Sequence, residues 1–336
     1  MPDVAWLEVK EKTQRKLRSQ GIGKNHAATI ADVLIHADLR NVSSHGVLRL
    51  EHYIKRLQSG GLNTSPDITF KQTGYVTGVM DGDGGFGHVV AEQAMDEAIR
   101  LAEENGVGVV TAFNSSHCGA LSYFVNRAAN KGLIGVALTH TDKAVVPFGG
   151  KESFLGTNPI AVGAPALKEN SFIFDMATSN AALGKILKAV DKNENIPGDW
   201  GVDKNGSAVT NPRDVVSLLP FGGPKGYGLG VVVDIFSGLL AGAAFGPHIN
   251  KMYGDLDKKR ELGHFFCALD PSYFTDKQEF LKNMDQMILE LRNAPAKDGV
   301  ERVFVPGELE QMNEERNRIE GITLSEETFN YLNSDS

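Results

Sequence analysis

Between a β-branched run, YVTGVMD, and a long amphipathic run, HVVAEQAMDEAIRLAEENG, the chain reads GDGGFG at residues 82–87. Strand, G-x-G-x-x-G and helix is the layout of a dinucleotide-binding turn, so this hexapeptide constrains the fold more than any other feature. In such a fold the glycines let a pyrophosphate rest on the helix N-terminus, and a carboxylate ending the next strand holds the ribose hydroxyls. Here the next strand, VGVVTAF, runs into Asn114-Ser115-Ser116-His117 and offers no carboxylate. Asp81 and Asp83 flank the glycines and would repel a pyrophosphate. The chain upstream reads as helix, with no room for the strands of a Rossmann sheet. The expectation is therefore a structural glycine turn.

Residues 4–20 and 23–40 read as helices, the second with Asn25 as its N-cap, and a third follows SSHG and ends at a glycine pair. From about residue 66 the texture changes. The runs DITFKQT, YVTGVMD, VGVVTAF, LIGVALTH and SFIFDMA read as strands, alternating with helices at 88–104 and 120–131. GGKESFLGTNPIAVGAP and NENIPGDWGVDKNGSAVTNP are turn-rich. A core helix at 225–243, a late strand in HFFCALDPSYF, an amphipathic helix in DKQEFLKNMDQMILELRNA, a last strand and turn in ERVFVPGE and a helical tail complete the chain. The opening helices lack the apolar surface to stand alone. The expected organisation is α/β (α+β): a helical domain of residues 1–65 joined by 309–336, and an α/β domain of residues 66–308.

A net charge of −8, spread along the chain, argues against a nucleic-acid partner. Cys118 and Cys267 are far apart, with neither a disulfide framework nor a thiolate zinc spacing, which fits a reducing cytosol. The most apolar run, 229–245, has 17 residues and contains Asp234, short of the roughly 20 apolar residues of a membrane span. The N-terminus mixes both charges without an apolar core, so no signal peptide is expected, and the location expected is cytoplasmic.

The residues that look chemical lie at strand ends and turns. His117 stands at a strand-to-helix corner, where an imidazole titrating near neutrality could take the proton of an alcohol or could merely cap a helix. His45, Arg49 and Tyr53 are spaced i, i+4, i+8 and would share one helix face. Guanidinium, phenol and imidazole together suit a small carboxylate; an ordinary salt bridge to Asp38 or Glu51 is the plainer alternative. Asp142 follows a strand, Asn158 sits in a polar turn, and Lys225 lies at the mouth of the core helix, where a cation could meet a phosphate. No HxH or HExxH spacing supports a metal site.

In family order over the whole chain, SSHG with its following arginine, SHCGALSYF, VVPFGG, GTNPIA, FDMAT, GPKGYGL and VPGE resemble the malate/L-lactate/sulfolactate/ureidoglycolate dehydrogenase family. SYFVNRAA, KAVVPFGG, IPGDWGVDKNG, LLPFGGPKGYGL and FGPHINKMYGDL resemble its ureidoglycolate branch most, with malate, lactate and sulfolactate as the alternative substrates. The resemblance implies a non-Rossmann mixed-sheet domain that binds NAD, and a homodimer with sites near the subunit contact. It makes His117 the proton acceptor. Thr141, Asp175, Met176, Ala177, Lys225, Gly307, Glu308 and Leu309 match cofactor-contacting positions. Asp142 joins that set and is expected to orient an imidazole of the site. Arg49, with Tyr53, His45 and Asn158, would hold the substrate. NAD is expected over NADP, because the candidate loops offer acids and glycines more readily than the cations a 2′-phosphate needs.

Overall fold

The computed structural model describes residues 2–334. The chain opens with β1 (Asp3–Val4), α1 (Trp6–Ser19), α2 (Lys24–Leu39) and α3 (Leu50–Gln58). Gly23, in extended backbone, is the N-cap of α2 and Asn25 lies inside its first turn, so the expected side-chain cap is absent.

The middle of the chain builds β2 (Thr69–Gln72), β3 (Thr77–Asp81), α4 (Gly87–Asn105), β4 (Val107–Ser115), α5 (Ser122–Asn130), β5 (Ile134–Thr139), β6 (Ile160–Ala164) and β7 (Phe172–Met176). After them come α6 (Leu183–Lys192), β8 (Gly201–Val202), β9 (Ser217–Leu218), α7 (Pro224–Asp234), β10 (Leu262–Leu269) and α8 (Lys277–Arg292). The end of the chain forms α9 (Glu308–Glu320), β11 (Ile322–Thr323) and α10 (Glu326–Asn333).

Seven of the strands make one sheet in the order β2-β3-β4-β10-β5-β6-β7. Only β3 and β4 run parallel; the other pairings are antiparallel, so this is a mixed sheet and no Rossmann fold. Helices α4 and α5 pack Val90, Ala94, Met95, Ala98 and Phe124 against Val110, Ala112 and Phe266 of the sheet. At the other end, β1 pairs with β11, and Val9, Leu17, Ile30 and Leu34 share one core with Ile322, Leu324 and Leu332. Arg40 Nε donates to Glu314 Oε2 at 2.9 Å and Asn317 Nδ2 to Leu39 O at 2.8 Å, tying α9 to α2.

The strands and helices differ from expectation in several places. β6 forms inside a stretch read as turns, because Gly163 lies where a Cβ would come 2.6 Å from Val125 O of α5; its small residues reflect close helix–sheet packing. α6 also arises in a stretch without a strong turn or strand pattern. ERVFVPGE forms no strand. The core helix ends at Asp234 and continues as a π-helical turn, Ile235–Leu239.

The glycine turn is tied to the end of β4. Gly82 N donates to Phe113 O at 2.9 Å and Gly84 N to Asn114 O at 2.8 Å. Asp83 Oδ2 accepts from Asn63 Nδ2 at 2.8 Å and Asp67 N at 3.1 Å, while Asp81 Oδ1 accepts from Asp83 N and Asn114 Nδ2. Both carboxylates are thus spent on the turn. At Gly87 an added Cβ would strike the carbonyl oxygen of Ser116, so α4 starts directly against the His117 corner. The hexapeptide seats that corner instead of a phosphate.

Candidate active site

The corner begins where β4 ends at Ser115. Asn114 (φ 50°) and Gly119 (φ 82°) take left-handed backbone on either side of it, and a Cβ at Gly119 would come 2.7 Å from Val33 Cγ1. His117 Nδ1 lies 2.7 Å from the Tyr53 hydroxyl and receives the Gly119 N–H at 3.2 Å. Its Nε2 has no hydrogen-bond partner among the described residues. The His45 ring stacks on it, centroids 5.6 Å apart. His88, fully buried with neither ring nitrogen bonded, stands edge-on to Tyr53 at 5.1 Å.

These imidazoles are neutral at ordinary pH. Burial above all, with the nearby Arg49 guanidinium adding to it, holds His117 well below the 6.5 of a free imidazole. Burial and Arg49 lower His45 to about 4, and burial lowers His88 to about 3. The near-neutral titration expected for His117 is therefore corrected: a guanidinium-rich, desolvated pocket penalises imidazolium.

His45, Arg49 and Tyr53 do converge, though not on one helix. His45 closes a 3₁₀ turn (Ser43–His45), Gly46 is extended, a second 3₁₀ turn spans Val47–Arg49, and only Tyr53 lies in α3. Asp38 organises this break: its Oδ2 accepts from Val47 N at 2.8 Å, and a Cβ on Gly46 would collide with its carboxylate. Asp38 is thus no salt-bridge partner of Arg49, and Glu51 pairs with Lys55 instead. Arg49 Nε donates to Ser44 O at 2.7 Å, with the guanidinium 5.7 Å from the Tyr253 ring centre. Its two terminal nitrogens carry no hydrogen bond to a described residue.

Asp142 is corrected in role. Its Oδ1 accepts from Arg260 Nη2 at 2.7 Å, so it orients a guanidinium and no imidazole. Arg260, in the charge-dense run DLDKKRELG, was not singled out in the sequence. It is 1% exposed, and its Nε and Nη1 have no partner. Burial draws it down to about 10, still a cation at neutral pH. The loop before it is fixed by Arg56, whose Nη1 donates to Lys258 O and Asp255 O and whose Nη2 donates to Lys251 O and Met252 O, at 2.6–3.1 Å.

Asn158, expected at the substrate, is fully buried with both ends of its amide engaged: Nδ2 donates to Gly230 O at 2.8 Å and Oδ1 accepts from Thr141 N at 3.4 Å. It braces the loop after β5 against α7. Thr141 Oγ1 accepts from Thr157 N at 3.1 Å. Asp175 and Met176 end β7, Ala177 follows, and Asp175 Oδ2 accepts from Ser122 N at 2.8 Å. Lys225 is exposed in the first turn of α7, after Gly222 and Gly223 in left-handed backbone. Gly307 (φ 87°) caps α9, with its backbone so close to Ile173 O that a Cβ would collide.

Beside the start of β7 lies a cavity of about 240 Å³ lined by Phe172, Val305, Gly307, Glu308, Arg292 and Arg302. Leu309 is half exposed at its edge of α9. Glu308 Oε1 accepts from Arg292 Nε and Arg302 Nη1 at 3.1 and 3.0 Å. An apolar wall, a carboxylate and two arginines line the cavity, and Lys225 stands exposed in the first turn of α7; these residue types fit the rings, ribose hydroxyls and phosphates of an extended dinucleotide.

A mixed α/β sheet thus carries, at the His117 corner, a neutral imidazole beside the Tyr53 hydroxyl and the His45 ring. Residues 4–333 match the malate/L-lactate dehydrogenase family, and the chain belongs to that family. It is 40% identical over 323 residues to an Escherichia coli ureidoglycolate dehydrogenase (NAD(+)), covering 96% of this chain and 93% of that protein. It is 39% identical over 320 residues to the L-sulfolactate dehydrogenase of Methanocaldococcus jannaschii (94% and 91% covered). The crystal structure of malate dehydrogenase from Entamoeba histolytica superposes with a TM-score of 0.93 at 33% identity, covering 98% of this chain and 96% of that one. No helix of the described residues is long and apolar enough to cross a membrane.

Proposed function

We propose that the protein is an NAD-dependent 2-hydroxy-acid dehydrogenase that oxidises (S)-ureidoglycolate to oxalurate, a step of allantoin breakdown. The observation that carries the reading is the open Nε2 of a neutral His117 beside the open terminal nitrogens of Arg49. Arg49 grips the substrate carboxylate in bidentate fashion, with His45 and Tyr53 closing the pocket around it. That grip holds the adjacent carbinol against His117, which takes the hydroxyl proton at Nε2. Gly119 N donates to Nδ1 in the resting geometry, with the Tyr53 hydroxyl 2.7 Å away, and this favours a proton on Nε2. Uptake at Nε2 therefore requires the other tautomer, with Nδ1–H donating to the Tyr53 oxygen. Tyr53 is suited to this because a phenol both donates and accepts.

NAD, when bound, supplies the hydride acceptor. Asp175, Met176, Ala177, Thr141, Lys225 and the Gly307-Glu308-Leu309 turn would hold it, and Asp142 acts beside them through Arg260. NAD over NADP is supported by Glu308, whose carboxylate pairs with both arginines of the cavity and would repel a 2′-phosphate. The substrate basin lies between residues contributed by a helical domain (1–65 with 309–336) and an α/β domain (66–308). A homodimer is supported by Leu229, Val232, Ile235, Leu239 and Leu240, exposed along α7 and its π turn. A cytoplasmic setting is supported by the two free cysteines.

Malate or sulfolactate is the second reading, supported by relatives nearly as similar as the ureidoglycolate enzymes. Reduction of NAD with ureidoglycolate, malate, sulfolactate and lactate compared side by side tests both. The highest kcat/KM is expected for ureidoglycolate. A preference for malate or sulfolactate would move the substrate within the family, and no turnover of any 2-hydroxy acid would remove the dehydrogenase reading.

A further inference from the structure

Tyr253 is a large aromatic residue left 55% exposed on a segment that the protein holds firmly in place. Arg56 of α3 donates through Nη2 to Lys251 O at 2.8 Å and Met252 O at 2.9 Å, the two carbonyls just before Tyr253. Asn250 Nδ2 closes the same loop on Lys259 O at 2.7 Å, and Gly61 lies so near it that a Cβ there would strike Leu256 O. Met252 is buried in the helical core, and the next residue, Tyr253, is left outside it. Two contacts decide where its ring goes. His52, one turn before Arg56 on α3, lies 4.7 Å from it, centroid to centroid, tilted by 53°. The Arg49 guanidinium carbon stands over it, 5.7 Å from the ring centre. A guanidinium within about 6 Å of an aromatic centroid is attracted by the negative face of the ring. Burial and the charges of Arg56 and Arg49 lower His52 to about 4, so it is neutral at ordinary pH and does not compete with Arg49 as a cation. Arg49 is therefore held twice, at Nε by Ser44 O and on one face by Tyr253, with its terminal nitrogens left over. A free arginine side chain must be ordered by its ligand, and one already fixed on two sides loses less freedom on binding.

We infer that Tyr253 is a positioning residue for anion binding: its ring is the plate against which the Arg49 guanidinium lies, keeping the two terminal nitrogens fixed and open to a carboxylate. This rests on the proposed function for the place of the substrate carboxylate at Arg49. The face of the ring carries the effect, since the Tyr253 hydroxyl makes no hydrogen bond to a described residue. His52 and Arg56 act one step further back, the first against the ring and the second on the loop that bears it. A contact made to the guanidinium alone strengthens substrate and transition-state binding equally, so its loss belongs in KM and not in kcat.

The test is equilibrium binding of oxamate, a non-reacting carboxylate, to the NADH-loaded protein, followed by calorimetry in a series at residue 253. Tyr253→Phe and Tyr253→Trp keep a ring face and should hold the affinity within about twofold. Tyr253→Leu keeps apolar bulk without that face, and Tyr253→Ala keeps neither; both should weaken oxamate by about 3–10-fold while NADH binds as before. In steady-state turnover the KM for the 2-hydroxy acid should rise by the same factor in Tyr253→Leu, with kcat nearly unchanged. Packing alone would let leucine serve as well as phenylalanine. Equal oxamate affinity in the Leu and Phe variants, or an unchanged affinity in Tyr253→Ala, overturns the inference; should the Ala variant fail to fold by circular dichroism, the Leu and Phe pair decides. Turnover tells the two readings apart. Oxamate binding that depends on the ring, in a protein that oxidises no 2-hydroxy acid, would uphold the plate while removing the dehydrogenase, and turnover with affinities indifferent to residue 253 would do the reverse.

Discussion

The protein carries two groups of buried imidazoles at neighbouring strand ends, and they are finished differently. Around β10, His140 accepts from Gly263 N at Nε2 (2.9 Å) and faces Asp234 Oδ1 from Nδ1 (3.2 Å). His264 bonds Thr139 Oγ1 through Nδ1 and Ser115 Oγ through Nε2, each at 2.7 Å. All four ring nitrogens there are paired. In the basin, His117 keeps Nε2 open and His88 has no partner on either nitrogen. A ring bonded at both edges has its two nitrogens occupied by protein, whereas a ring with an open nitrogen can exchange a proton with a ligand. The paired group is tied into the sheet, and the chemistry proposed above falls to the open group.

The largest expected effect tests that contrast at His117. His117→Ala should lower kcat by roughly 10²–10⁴, the usual worth of a general base, and leave the melting temperature and NAD binding nearly unchanged. Because burial and its positive neighbours hold the ring well below 6.5, its neutral form already dominates at neutral pH. The wild-type kcat/KM should therefore stay level through neutrality and fall only in acid, and the variant should lack that fall. An acid limb centred near pH 6.5 in the wild type, kept by the variant, would transfer the base to another group.

Arg49 comes next. Arg49→Lys retains the charge and loses the fork, so kcat/KM for any 2-hydroxy acid should drop by about 10–100-fold, while affinity for NAD holds. Unchanged steady-state kinetics would take Arg49 out of the site.

Much of this was legible in the chain, and the failures share a cause. The sheet, the long helices and the demotion of GDGGFG followed from periodicity and from carboxylates in the wrong places. His45 and Tyr53 both meet the His117 ring, but the helix inferred from the spacing of His45, Arg49 and Tyr53 is broken at Gly46, where Asp38 holds the backbone. Local spacing cannot foresee a buried side chain eight residues upstream bending the chain. His117 and His140 look alike in sequence, each following a strand. What separates them is β10, inserted between β4 and β5 from more than 120 residues away, which supplies Gly263 N to His140. Arg260 was hidden for the same reason, since its burial is decided by α3 and by Asp142, both distant in the chain.

The smallest effect is expected on the paired side. His264→Ala strips partners from the hydroxyls of Thr139 and Ser115 in the middle of the sheet, which should cost about 1–3 kcal/mol of stability at pH 7. Turnover per folded molecule should change by less than a few-fold. The pH dependence identifies the residue. Burial, chiefly, lowers His264 from 6.5 to about 3, so between those values the unfolded chain binds a proton that the folded chain refuses. Stability therefore rises with pH across that window and is lost as pH falls from 6.5 toward 3, with a slope of up to about 1.4 kcal/mol per pH unit from this one ring. Removing the ring should flatten the acid side of the stability curve measured by urea titration at pH 7, 6 and 5, though not level it, because His45 and His88 are lowered in the same direction. An acid slope as steep as the wild type's would mean that His264 is already as free to protonate when folded as when unfolded, and the two hydroxyls that bracket it would then be poor evidence for a locked ring.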